Sequence, residues 1–273
     1  MKKRILETKL AEGQAALFYL GQVGFLIKYD ETYILIDGYL SDYVDQNFST
    51  EEVVWKRKYP APIDPEELDF VDHVFCSHAH SDHTDPWTLS KIAAVNPKAR
   101  YFGTHTVVQA LREIGLPETS IEELQIDEKK SLTETIEVTA VPAAHEELHP
   151  DGQGGYEEAG FVLRLGNLKI YHAGDCCLYD GLEERVTGCD AMLLPINGRD
   201  YYRRYKKDII GNFDSVEAVT LAKHTGARLL IPMHFDLYDV NEVNPAYFVD
   251  CLTRLNPTQA YHIFVPGEKY ILG

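Results

Sequence analysis

The stretch Ser77-His78-Ala79-His80-Ser81-Asp82-His83-Thr84-Asp85 places four groups able to ligate a metal within six residues. His78 and His80 stand two apart, so on extended chain their imidazoles project from one face. Asp82 and His83 follow as the chain turns into a helix. Neutral imidazole suits zinc and other first-row metals, and a carboxylate completes or bridges such a site. One ion has room for only some of these groups, so the spacing points to two nearby ions. A structural zinc site more typically uses cysteine thiolates and closes every position. The cluster holds no cysteine, which points to an open, catalytic centre. Three more candidates follow apolar runs: His145 after Val141-Pro142-Ala143-Ala144, Asp175 after Tyr171-His172-Ala173-Gly174, and His234 after Ile231-Pro232-Met233. Alone, each is an ordinary polar loop residue. With the cluster they make five His and two Asp, a full complement for two metals.

The elements must bring these seven residues together. Ala16–Leu20 and Val23–Tyr29 read as strands around Gly21, and Tyr33–Ile36 as a third ending at Asp37-Gly38. Residues 40–69, with Pro60, Pro62 and Pro65, read as a long irregular stretch, either a lid over the site or a surface excursion. Val71–Cys76 is a buried strand feeding the cluster. Asp85-Pro86 then supplies a cap and first residue for a helix to about Val95. A strand at Arg100–Gly103, a helix from about Thr106 to Ile114 and a strand at Ile136–Val141 complete this half. In the second half, Phe161–Leu165 and Leu168–Tyr171 flank a Gly166-Asn167 hairpin turn. Ala191–Pro195 and Arg228–Pro232 are strands around a helix that Asp214 and Glu217 open as a capping box and Gly226 closes. Pro245–Leu255 is a helix, and His262–Val265 and Tyr270–Leu272 are closing strands. Each half runs strands first, then strand–helix pairs, which predicts an α/β fold of two similar halves packed as a single domain over residues 1–273.

Composition narrows the function. The 273 residues include 26 Lys and Arg against 43 Asp and Glu, for a formal charge of −17. That balance argues against nucleic-acid and anionic-membrane partners, which need a positive surface. Apolar residues at 45% and charged residues at 25% exclude disordered, collagenous and coiled-coil chains. The five cysteines show no paired spacing, as in a reducing compartment. Met1-Lys2-Lys3-Arg4 is followed by charged residues rather than an apolar signal core, and Ala15–Ile27 is too short and glycine-broken to span a bilayer. A cytoplasmic location is expected.

The set His78-x-His80-x-Asp82-His83, then His145, Asp175 and His234, resembles the signature of the metallo-β-lactamase superfamily across nearly the whole chain. The resemblance implies a four-layer αββα sandwich with the metals at one edge of the two sheets. It implies that His78, His80 and His145 hold one metal, that Asp82, His83 and His234 hold the other, and that Asp175 bridges them. Two divalent ions follow as cofactors, Zn2+ foremost, with Mn2+ or Fe2+ as alternatives. Such a pair ~3.5–4 Å apart holds hydroxide at neutral pH and polarises the substrate. Asp82 would orient that nucleophile or carry a proton to the leaving group. The oxygen-reducing iron branch typically has Glu at the second cluster position; His80 here favours hydrolysis.

Three segments resemble the L-ascorbate-6-phosphate lactonase branch: Phe18–Phe25, Leu194–Arg199, and Phe213–Ala218 leading into Gly226–Asp236. They imply opening of a lactone or ester in a small anionic, sugar-phosphate-like substrate. Phosphodiester hydrolysis is the alternative within the superfamily, and a non-catalytic metal- or ligand-binding protein the alternative outside catalysis. Arg199, with Asn197 beside it, is the expected substrate contact, since Arg binds phosphate or carboxylate bidentately. Tyr201, Tyr202, Arg203, Arg204, Lys206 and Lys207 follow as a basic and aromatic cluster. It would receive the substrate, or else form a solvated face or homo-oligomer contact. Tyr19, Asp37 and Asp236 are expected to support the site from behind its ligands.

Overall fold

Strand β1 (Ala15–Gly21) is buried along its whole length in the computed structural model, which describes all 273 residues. Successive side chains of a strand point to opposite faces. Ala15, Leu17 and Tyr19 therefore join one apolar cluster, and Ala16, Phe18 and Leu20 another. A strand buried on both faces needs a covering layer on each side, and here these are a second sheet and a layer of helices.

After β1 come β2 (Gly24–Tyr29), β3 (Thr32–Ile36), β4 (His73–Phe75), β5 (Arg100–Gly103) and β6 (Ile121–Glu123). The second sheet is built from β7 (Lys129–Ser131), β8 (Ile136–Pro142), β9 (Ala159–Leu165), β10 (Leu168–His172), β11 (Ala191–Pro195), β12 (Leu229–Met233) and β13 (Ala260–Tyr261). β14 (Lys269–Leu272) returns to the first sheet, giving the orders β14-β1-β2-β3-β4-β5-β6 and β13-β12-β11-β10-β9-β8-β7. The halves repeat one scheme. β1-β2-β3 and β8-β9-β10 are antiparallel meanders, and β3 to β6 and β10 to β13 continue in parallel. β14 and β7 each add antiparallel to the first strand of their meander.

Of the helices, α1 (Lys2–Leu6) and α2 (Tyr43–Phe48) are short. α3 (Pro86–Val95) and α4 (His105–Ile114) bury Leu89, Ile92, Val107 and Leu111 on the outer face of the first sheet. α5 (Leu182–Val186) and α6 (Tyr201–Lys206) are again short. α7 (Ser215–Thr225) and α8 (Pro245–Leu255) cover the second sheet with Ala218, Leu221, Phe248 and Leu252. Between the sheets, Phe25, Phe75 and Phe102 meet Val138, Phe161 and Leu163. Truncating the fully buried Phe75 to Ala would cost about 3–5 kcal/mol. This is the expected α/β sandwich of four layers, αββα, with two similar halves.

Three details differ from the sequence reading. Residues 40–69 are not wholly irregular, because they hold α2 and a single 3-10 turn at Pro65–Glu67. His262–Val265 is not a strand. The chain leaves the sheet at Tyr261, His262 Nε2 meets Glu268 Oε1 at 2.9 Å, and the backbone turns at Pro266-Gly267. β6 and β7 escape sequence reading because their short polar sequences carry no alternation.

Candidate metal centre

The seven candidate residues all follow strand ends at one edge of the sandwich, outside the carboxyl ends of the parallel strands, where α/β sheets place their sites. Between β4 and α3 the cluster is wound tightly. The backbone N–H groups of His83 and Thr84 donate to His80 O at 2.9 and 2.8 Å, and Thr84 Oγ1 donates to His78 O at 2.6 Å. Asp85 then caps α3 by accepting from Trp87 N. The Asp175 loop approaches so closely that a Cβ on Gly174, at φ +60°, would stand 2.7 Å from Ser77 Cβ. His234 also takes a left-handed backbone, φ +56°, and its N–H donates to Gln22 O at 2.6 Å.

This folding brings all seven side chains together. His78, His80 and His145 form one group of mutually close ligand atoms, and Asp82, His83 and His234 a second. Asp175 lies between them. Its Oδ2 is 3.3 Å from His234 Nε2 and 3.7 Å from His145 Nε2, and its Oδ1 is 3.5 Å from His83 Nε2. His78 Nε2 and His80 Nδ1 converge to 2.9 Å. The groove of charge has two unanswered atoms: buried His83 Nε2 and Asp175 Oδ1 have no hydrogen-bond partner. Buried polar atoms are nearly always partnered, so orphans facing each other inside an imidazole–carboxylate set fit metal ions.

Burial and charge point the same way. Burial drives the His78 imidazole well below its usual range, helped by His83 and His80, and takes His145 down to about 4. Both shifts favour the neutral ring, the form that ligates a metal. Burial also opposes charge on His83, but Asp175, Asp82 and Asp37 outweigh it and hold that ring well above its usual range. Burial works against the Asp175 carboxylate too, yet His234 and His83 keep it well below the usual carboxylate range. The carboxylates thus demand positive charge at this spot.

The candidate ligands are held from behind. Asp37 accepts from Ser77 N and Ser77 Oγ, both at 2.7 Å, and from His83 Nδ1 at 2.9 Å, leaving His83 Nε2 to face the centre. Asn212 Oδ1 plays the same part for His145 Nδ1 at 3.1 Å. Gln22 was not singled out by sequence. Its Nε2 donates to Asp82 Oδ2 at 2.5 Å and lies 3.4 Å from His234 Nε2. Its own φ is +55°, and its N–H donates to Tyr59 Oη at 3.3 Å. Tyr59 and Tyr19 in turn donate to Asp236 Oδ1 at 2.8 and 3.1 Å. The one available sequence signal for Gln22 was its place in the Gly21–Gly24 turn after a buried strand.

The centre opens into a cavity of about 640 Å³ lined by His80, Asp82, His145, Asp175 and His234. Arg199 and Asn197, expected at the substrate, do not line it. The Arg199 guanidinium is clamped by Glu217, Nη1 to Oε2 and Nη2 to Oε1 at 2.7 Å each, and also donates to Asn212 O. Asn197 is buried, accepts from Asn212 Nδ2 at 3.1 Å and donates to Asn241 Oδ1, so it steadies the residue that orients His145. Of the basic cluster, Lys207 alone reaches the cavity lining, with Nζ donating to Glu52 O at 2.8 Å.

Comparison with known proteins agrees with this geometry. Residues 32–235 match the family described as Beta-lactamase superfamily domain. A UPF0173 metal-dependent hydrolase of Opitutus terrae is 31% identical over 262 residues, covering 92% of this chain and 97% of that one. A second, from Methanoculleus marisnigri, is 28% identical over 209 residues, covering 74% and 82%. In structure, the metallo hydrolase Igni18 of Ignicoccus hospitalis superposes with a TM-score of 0.70 at 20% identity, covering 95% of this chain and 99% of that one. An isothiocyanate hydrolase from Delia radicum gut bacteria reaches 0.73 at 16%, covering 94% and 99%. No helix of this chain is long and apolar enough to cross a membrane. The chain belongs to the metallo-β-lactamase superfamily and, within it, to the UPF0173 family of metal-dependent hydrolases.

Proposed function

We propose that this hydrolase opens lactones, or cleaves related esters, at two divalent ions, zinc foremost and manganese or iron as alternatives. His78, His80 and His145 would hold one ion and Asp82, His83 and His234 the other, with Asp175 shared. Bound there, the ions lower the pKa of a water molecule and polarise the substrate carbonyl. The protein's own part is orientation and proton handling. Asp37, Asn212 and Gln22 fix the ligands. Asp82 is the more exposed carboxylate, at 22% against 6% for Asp175. Its Oδ2 accepts from Gln22, so Oδ1 would be the atom that takes the proton released by the attacking water and hands it to the leaving oxygen.

The observation that carries this reading is the convergence of seven candidate ligands, five of them lining one cavity, around two orphaned atoms, Asp175 Oδ1 and His83 Nε2. A phosphorylated substrate like that of the L-ascorbate-6-phosphate lactonase branch would need a free cation there. Arg199 is clamped by Glu217 and does not line the cavity, and Lys207, with one donor on Glu52 O, is the only Lys or Arg that does, so lactones and esters without a phosphate fit better. The test is turnover by zinc- and manganese-reconstituted protein of a lactone and ester panel, with L-ascorbate 6-phosphate and a bis-aryl phosphodiester alongside. Metal-dependent opening of a lactone is the expected result. A phosphodiester rate above that of every lactone and ester would reject the reading in favour of the phosphodiesterase alternative.

A further inference from the structure

We infer that the substrate carries an alkyl or aryl substituent beside the scissile bond, seated on an apolar wall that faces the metal ligands. The inference rests on the hydrolase reading above. The wall comes from two segments that supply no ligand: Val44, Phe48, Val53 and Trp55 from the first, Ile209 and Ile210 from the second. Ligand positioning therefore does not explain it. Val44 and Ile209 are buried at 8% and 5%, whereas Phe48 stands 53% exposed at the cavity. An aromatic ring left that open toward a binding cavity is stabilised when an apolar ligand covers it.

The wall is also held in shape. Trp55 packs edge-on to Tyr238 with centroids 5.2 Å apart, and Tyr43 packs edge-on to both Phe48, at 6.2 Å, and Trp87, at 5.2 Å. Lys207 ties the two segments together through its bond to Glu52 O. At about 640 Å³ the cavity has room for a small molecule with a side chain of several carbons.

The test uses metal-reconstituted protein and straight-chain hydroxamates from acetyl to octanoyl, whose head groups bind metal whatever the natural reaction. Calorimetric Kd should tighten about fourfold per methylene until the wall is covered. The double variant Phe48→Ser, Val53→Ser should lose at least half of that dependence while keeping its metal content and its acetohydroxamate Kd. Equal affinity along the series, no binding at all, or an unchanged slope in the variant overturns the inference. The parallel readout is kcat/KM for lactones with lengthening alkyl substituents. Chain-length-dependent binding without turnover of any lactone or ester would reject the proposed reaction and keep the wall. Turnover that ignores chain length, with flat hydroxamate binding, would do the reverse.

Discussion

Asp37 and Asp175 occupy matching places in the two halves, each just beyond the third strand of its meander, where pairing turns from antiparallel to parallel. Both are buried, at 0% and 4%. Asp37 has three donors on its two oxygens, whereas Asp175 keeps an oxygen, Oδ1, with no hydrogen bond and only the His83 ring 3.5 Å away. The next loops are reversed. After β4 the chain presents His78 to His83, while after β11 it presents Asn197 and Arg199, both locked in hydrogen bonds. One scaffold position thus holds a support residue in one half and a candidate ligand in the other. Hydrogen-bond completeness, rather than residue type, distinguishes the two uses.

The largest expected effect comes from the open member of the pair. Asp175→Asn keeps the shape and removes the charge. Metal content and turnover should fall by more than the roughly 100-fold that loss of a supporting partner costs. Metal analysis together with rate measurement checks this, and near-normal binding of both ions would break the comparison. Asp37→Ala should behave differently. It strands Ser77 and His83 Nδ1 without their acceptor, and the metal-free protein should lose about 3 kcal/mol in chemical denaturation. Equal stability of metal-free wild type and variant would show that Asp37 is not the structural partner described.

Next in size are the two residues that hold ligands from opposite sides. Gln22→Ala removes the donor to Asp82 beside His234, and Asn212→Ala removes the partner of His145. Each should weaken metal binding about 10-fold or somewhat more. Calorimetric titration should show the two variants weakening different binding steps, since their ligands belong to different groups. Weakening of the same step by both would argue that the seven ligands serve a single site.

Much of this comparison was legible in sequence, and the parts that were not share a cause. The convergence of the six-residue cluster with the three candidate ligands at strand ends could be read because their residue types are rare together and their order follows the strands. Gly166-Asn167 and the Asp214–Glu217 capping box could be read because both are local. Arg199 misled because its partner Glu217 lies 18 residues away, and no sequence pattern shows that a cation is already answered. Gln22 carries neither charge nor a ligand-type atom, and only its backbone turn aims it at Asp82. In the apolar wall of residues 44–55, Val44 and Phe48 stand four apart and Val53 and Trp55 two apart, but each spacing holds for one pair only, too short a run to mark a face in the sequence.

The smallest expected effect isolates the locked Arg199–Glu217 pair. Burial raises the Glu217 carboxyl, but hydrogen bonds from Arg199 and from Asp214 N, with the Arg199 charge, outweigh it and leave the group below its usual range. A folded-state pKa below the unfolded one contributes stability above the ordinary Glu value, lost as pH falls through the lowered value. The Arg199 side chain is 39% exposed, so water screens the pair and the contribution stays under about 1 kcal/mol. Glu217→Gln keeps one oxygen to accept from Asp214 N and Arg199 Nη1, while removing the charge and the second acceptor that Arg199 Nη2 uses. Denaturation curves should therefore place the variant slightly below wild type at pH 7 and merge with it as pH falls past the carboxylate range. Metal content and turnover should stay near normal throughout. A large drop in kcat/KM with unchanged stability would return Arg199 to the substrate and make the loop after β11 a chemical loop like that after β4.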